Sequence, residues 1–527
     1  MFASRLLAIL FWIFASAPAV RADVQAELER LFVGQTALAF GTAVDLDRLR
    51  PAYESQGYDP IWITNQGISK SALGLLIVIQ RSVEDGLEPA DYKSGLPEPI
   101  GAVRSSEDLA RLELFLSSAF LNLARDMHAG RTTPSISAPD IVIPRKPIRA
   151  KAWLEAVKSS GPDAVIRSLR PSHRQYAQLR SMLAGYRSLA ERGGWPAVPA
   201  GETLKPGMDD PRIASIRTNL TGRGYDGIDG GSEPTLYDAD LKAVTQHFQR
   251  RHGLEVDGVI GPATIAALNV TAGERVQQII VNMERWRWMP EDLGARYILV
   301  NQAFFFLEAV NDGRVTDRRR VIIGKPYHKS PMFSDNIRYT DFNPTWTVPR
   351  SIAGSEILPK LQRDPGYLAR NDMLLYRESG LIDPYSVNWS SVSSRRFPYR
   401  IVQQPGPKNA LGRVKFMFPN KFSVYLHDTP GRDLFSRTGR AFSHGCIRVE
   451  KPLEFAALVL GSDQGLDRTA IEEIVAMGKQ TRVELRNPLP IHLTYFTAWI
   501  DDDGIPQFFN DIYGRDTIVR QVIYGAV

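Results

Sequence analysis

The spacing of apolar residues changes partway along this chain, and that change limits the possible folds more than any single residue does. Before about residue 210 apolar side chains recur at helical intervals. Leu109, Leu112, Leu116, Phe120, Leu123 and Met127, for example, make one stripe on a helix. From Ala295 the period becomes two: residues 297–310 read as a long β-run, Asp312-Gly313 as a hairpin turn, and residues 315–323 as the returning strand, before Gly324-Lys325-Pro326 breaks it. The two periods belong to different backbones. A chain of 527 residues is also too long for one core. With 43% hydrophobic and 23% charged residues it has no disordered or collagen-like bias. The expected architecture is multidomain α+β. It comprises a mainly helical scaffold over 23–210, a three-helix module over 211–270, a helical linker over 271–294, a mostly β domain over 295–486 and a β-hairpin extension over 487–527.

In the three-helix module, Pro211 opens a helix that closes near Gly224. Asp238 caps a second helix carrying Leu241, Val244 and Phe248, which Gly253 ends, and Gly261-Pro262 starts a third. Within the β domain, 351–398 is a polar stretch with turn signals at Asp364-Pro365-Gly366 and Asp383-Pro384 and a helical piece at Ile357-Leu358-Pro359-Lys360-Leu361. A long insertion of this kind is usually functional. His128 and His173 stand alone in the helical region, and a surface or capping role is expected for both.

Residues 1–22 resemble a secretory signal peptide. Arg5 precedes an apolar run over 6–14, and two small-x-small cleavage options follow, Ala17-Pro18-Ala19 and Val20-Arg21-Ala22. The expected location is the periplasm, with an uncleaved N-terminal anchor as the alternative and no stable membrane insertion after cleavage. Losing residues 1–22 removes Arg5 and Arg21 and lowers the net charge from +6 to +4. The positive charges are dispersed, so nucleic acid is not an expected partner.

Cys446 is the single cysteine, in Ser443-His444-Gly445-Cys446-Ile447-Arg448. A lone thiol cannot close an internal disulfide. His444 can hold or remove its proton, and Gly445 lets the backbone approach a bound group, so the pattern points to a nucleophile. If the segment is extended, residues 444 and 446 project to one side and the imidazole lies beside the sulfur. Backbone N–H groups at Gly445 and Cys446 are candidate oxyanion donors. Arg448 suits a substrate carboxylate or a structural ion pair.

Fifteen residues separate Ser443 from His427, which ends the strand-like Val424-Tyr425-Leu426-His427 before Asp428-Thr429-Pro430. His427 followed at this spacing by Ser443 to Arg448 resembles the signature of the L,D-transpeptidase catalytic domain, the YkuD-type fold. The stretches Phe342-Asn343-Pro344-Thr345-Trp346-Thr347-Val348-Pro349 and Leu411-Gly412-Arg413-Val414-Lys415-Phe416-Met417-Phe418-Pro419-Asn420 are similar to its large periplasmic branch. Asp257-Gly258-Val259-Ile260-Gly261-Pro262-Ala263-Thr264 resembles a peptidoglycan-binding module. Asp428 departs from the glycine of many smaller members.

The resemblance implies acyl transfer. Cys446 attacks the bond between the third residue of a stem peptide and D-Ala, and a second stem's amine then resolves the thioester into a 3→3 cross-link. It also implies a backbone carbonyl as the partner that fixes the imidazole tautomer, a mobile cap formed by 351–398, and sensitivity to carbapenems. Trp346, Tyr425 and His427 are candidates for the cleft wall, with Ser443 supporting the site. No cofactor or metal is implied, and peptidoglycan stem peptides and glycan are the expected partners, with other cell-wall synthases as candidates. The competing readings are an L,D-carboxypeptidase or cysteine peptidase, a zinc site from His427, His444 and Cys446, and a non-catalytic peptidoglycan-binding scaffold.

Overall fold

A computed structural model describes residues 20–133, 138–378 and 380–525. The expected signal peptide therefore lies almost wholly outside the described residues. Its last positions belong to the helix Val20–Leu31, which runs through the expected cleavage point after Ala22. Among the described residues, no helix is long and apolar enough to cross a membrane.

The chain forms two compact units. Among the described residues, the first comprises 20–133, 145–188 and 279–288. Its central element is the helix Ser106–Ala129, capped where the Ser105 hydroxyl accepts from the Asp108 N–H. All six residues of the apolar stripe, from Leu109 to Met127, are buried on it, each contributing about 1.5–3 kcal/mol of transfer free energy. Phe32, Tyr53 and Trp62 join the same core. Two short hairpins, Thr36–Ala39 with Thr42–Asp45 and Ile63–Thr64 with Gly67–Ile68, complement the helices. His128 is buried rather than exposed, and its ring meets Trp153 edge-on at 5.3 Å.

Among the described residues, the second unit comprises 138–144, 189–278, 289–378 and 380–525. Its helical module contains Arg212–Gly222, Ala239–Arg251 and Pro262–Leu268 around Ile213, Ile216, Leu241, Phe248 and Ile265. The Asp238 carboxylate caps the second helix at the Leu241 N–H, as its position in the sequence implies.

The β-region closes on itself. Following hydrogen-bonded neighbours, the order is Val414–Met417, Leu426–His427, Ile447–Val449, Arg314–Gly324, Phe306–Asn311, Arg296–Asn301, Thr481–Thr494, Met332–Phe342, and back to Val414–Met417. Eight strands thus form a ring, which removes free edges. One expectation needs correction here. Residues 297–310 are not one strand: a turn at 302–305, with Phe305 at φ 56°, folds them into the antiparallel pair Arg296–Asn301 and Phe306–Asn311. The 14-residue strand Thr481–Thr494, paired on both sides, runs across residue 486. The final hairpin, Ala498–Ile500 with Pro506–Phe508, is followed by a helix, Arg515–Tyr524.

The insertion has its own core. A four-stranded sheet in the order Trp346–Thr347, Arg400–Gln403, Met373–Arg377, Gly380–Ile382 packs with short helices around Ile357, Leu361, Leu368, Leu375, Trp389 and Phe397. It is a small folded subdomain entered and left through one pair of strands.

Candidate active site

Three short strands of the ring position the motif residues. Leu426–His427 runs parallel to Ile447–Val449, with His427 opposite Arg448, and Arg448 in turn faces Ile322. The Ile447 N–H donates to the Tyr425 carbonyl at 3.1 Å. Cys446 therefore leads into a strand whose neighbour carries Tyr425 and His427.

Residues 444–446 are not extended. Gly445 sits at φ 115°, a conformation glycine adopts without strain. The turn is braced from within, where the Ser443 hydroxyl donates to the Cys446 carbonyl at 2.5 Å and accepts from the Gly445 N–H at 3.1 Å. Of the two expected oxyanion donors, Gly445 N–H is thus already engaged, leaving Cys446 N–H. Bracing from outside comes from residues that carried no local signal in the sequence. The Ser330 hydroxyl donates to the Gly445 carbonyl at 2.7 Å, and the Arg515 guanidinium holds the Ser330 carbonyl at 2.8 Å. The Tyr513 hydroxyl donates to the Gly324 carbonyl at 2.6 Å. Gly324 has no room for a side chain, since a Cβ there would lie 1.9 Å from the His328 carbonyl oxygen.

The two histidines are held differently. The His427 ring is buried, and its Nδ1 lies 2.5 Å from the Asp428 carbonyl oxygen. A carbonyl only accepts, so Nδ1 carries the hydrogen and Nε2 is the basic nitrogen. Burial, followed by the positive charge of Arg448, lowers its pKa to about 3, so the ring is neutral at rest. His444 is turned to the insertion, where its Nε2 meets Glu356 Oε1 at 2.6 Å. A backbone carbonyl as tautomer-fixing partner is found on His427, and a carboxylate on His444.

Burial also pushes the Cys446 thiol up, against the influence of the adjoining Tyr425 and the charges of Lys415 and Arg448. Its thiol points weakly at the Ser423 carbonyl, 3.9 Å away. Tyr425 adjoins both groups: it lies beside the sulfur, and its ring stands edge-on to His427 at 5.7 Å. The Arg448 Nε is buried with no hydrogen-bond partner among the described residues. Trp346 packs against the insertion's core. Asp428 points its carboxylate at the N–H groups of Arg413 and Thr429, at 2.9 and 2.7 Å, and lines a cavity of about 340 Å³ with Arg413 and Arg432. Among the described residues no group of three or more His, Cys, Asp or Glu side chains is arranged to hold a metal ion.

Three family models match this chain. The model described as "Scaffold domain" covers residues 47–183, "Putative peptidoglycan binding domain" covers 209–268, and "L,D-transpeptidase catalytic domain" covers 295–485. A curated relative from Haemophilus influenzae, named "Putative L,D-transpeptidase", is 35% identical over 241 residues, which are 46% of this chain and 48% of the relative. The match thus spans about half the length of that relative. Two solved structures align over 56% of this chain. An L,D-transpeptidase from Xylanimonas cellulosilytica is 14% identical with 99% of its chain covered and a TM-score of 0.17. A fused zinc-dependent amidase/peptidase/peptidoglycan-binding protein from Clostridium acetobutylicum is 10% identical with 100% covered and a TM-score of 0.15. Scores this low carry no argument.

Proposed function

With its residues 295–485 belonging to the L,D-transpeptidase catalytic-domain family, we propose that this chain cross-links peptidoglycan stem peptides through a thioester on Cys446. The observation that carries the reading is a neutral, carbonyl-anchored His427 on the strand hydrogen-bonded beside the cysteine's own. Such an imidazole is the general base that an unactivated thiol needs. His427 therefore takes the role that the sequence assigns to His444.

In the first half-reaction the sulfur attacks the carbonyl preceding D-Ala while His427 Nε2 takes the thiol proton. The C–N bond breaks, and the same proton leaves on the amine of D-Ala. In the second, an acceptor amine attacks the thioester carbonyl. The C–S bond breaks, and His427 returns a proton from the amine to the sulfur. The Cys446 N–H is a candidate donor to the oxyanion of both tetrahedral species. The unpaired Arg448 Nε suits a stem-peptide carboxylate, with which a guanidinium forms charge-assisted bonds. The module at 209–268, which matches a peptidoglycan-binding family model, fits action on a wall polymer.

The test is mass spectrometry of the protein and of wall fragments after incubation with stem tetrapeptides. The expected result is one acyl addition per chain, loss of D-Ala and 3→3 dimers, all abolished in Cys446→Ala. Retention of cross-linking in Cys446→Ala would end this reading. Acyl addition followed only by hydrolysis would make the chain an L,D-carboxypeptidase.

A further inference from the structure

The Glu356–His444 pair has no part in the mechanism above, although it ties the insertion directly to the cysteine's own loop. Glu356 sits in a π-helical turn, Ala353–Ile357, whose Ala353, Gly354 and Ile357 are buried. The turn is packed so closely that a Cβ on Gly354 would lie 2.6 Å from the Ser394 carbonyl oxygen. Its carboxylate is therefore aimed by the insertion's own core. Because a carboxylate only accepts, the neutral His444 ring carries its hydrogen on Nε2 and exposes Nδ1 as the base.

We propose that Glu356 is a positioning residue that makes His444 the base for the second half-reaction, where it takes a proton from the incoming acceptor ammonium. This rests on the transpeptidase reading above. The acceptor amine arrives protonated, and nitrogen must shed one proton before its lone pair can attack. His444 Nδ1 receives that proton, and the imidazolium is held by the Glu356 carboxylate. The C–N bond then forms and the C–S bond breaks. The proton released from the new amide nitrogen passes through His427 to the sulfur, and His444 gives its own to water.

The two imidazoles suit different work. His427 is buried and anchored by a neutral carbonyl, so it passes a proton on without a counter-charge to hold it. His444 is partly exposed, and its Nε2 meets a carboxylate oxygen at 2.6 Å. The His328 ring is 4.9 Å away. Burial, then His444, then Lys325 lower the His328 pKa, so it does not compete as the base.

Glu356→Gln in the full chain separates the two steps. Acylation by a carbapenem, read as mass addition, should stay within about threefold of wild type. Aminolysis of the stem-peptide acyl-enzyme by a tripeptide stem should fall about 100-fold at pH 7 relative to hydrolysis. The deficit should shrink as pH approaches the acceptor amine's own pKa, where free amine no longer needs a base. Glu356→Asp should recover part of the rate. Equal loss of acylation and aminolysis, or a deficit that does not change with pH, would overturn the assignment. Failure of the wild type to form any stem-peptide acyl-enzyme would instead overturn the transpeptidase reading.

Discussion

Both units bury ionisable groups, but they complete them to different degrees. In the helical unit, Glu113 is fully enclosed and accepts from the Tyr53 hydroxyl at 2.6 Å and from the N–H groups of Ile61 and Trp62 at 2.6 and 2.8 Å. In the barrel, His427 has one nitrogen engaged, the Arg448 Nε has no partner and the Cys446 thiol has only a weak one. Burial favours the neutral form of Glu113, His427 and Cys446 alike. Saturation is what separates them. A buried group with every valence used specifies a fold, whereas one with a valence left open is free to meet a substrate.

The largest expected effect tests the open side of this contrast. His427→Gln should slow carbapenem acylation of Cys446 about 1,000-fold while moving the thermal midpoint by only a few degrees. A variant that unfolds yet acylates normally would place His427 with Glu113 as a structural group. The closed side is tested by pH. Folded Glu113 keeps its proton to about pH 7, whereas its ordinary value is 4.5. The unfolded chain therefore binds fewer protons in between, and stability falls as pH rises across that window, by about 3 kcal/mol. Urea unfolding at several pH values should show this slope, and Glu113→Gln should flatten it. An unchanged slope in the variant would assign the effect elsewhere. The smallest effect concerns the thiol itself. Because burial raises its pKa, alkylation of Cys446 by iodoacetamide at pH 7 should be slower than that of glutathione, with its rise displaced to higher pH. Each unit of displacement lowers the thiolate fraction about tenfold. Faster alkylation would mean a thiolate–imidazolium pair at rest.

Much of this architecture could be read from the chain because its signals are local. The helix around Leu116, the Asp238 cap and the change of period at Ala295 each depend on neighbours a few residues apart. Cys446, His427 and Ser443 were legible through one short, ordered motif. What escaped the sequence was set by distant partners. Ser330 braces the Gly445 turn from 115 residues away, and Tyr513 and Arg515 hold Gly324 and Ser330 across 189 and 185 residues. The expectation that residues 444–446 are extended, with the His444 imidazole beside the sulfur, does not hold, because the positive φ of Gly445 breaks that geometry. Glu356, 88 residues upstream of His444, gave no sign of this contact, since a lone glutamate on a polar insertion looks like solvent-facing charge.

The insertion joins the barrel through a neck in which Trp346 pairs with Gln403 and Thr347 with Val402. Chain entering and chain leaving are already side by side, so no barrel strand depends on what lies between them. In evolutionary terms this is a cassette. It can be lengthened, shortened or exchanged without altering the order of strands around the ring, and each exchange would change which side chain meets His444. The cysteine's loop and the insertion that meets it can therefore diversify separately within one chain.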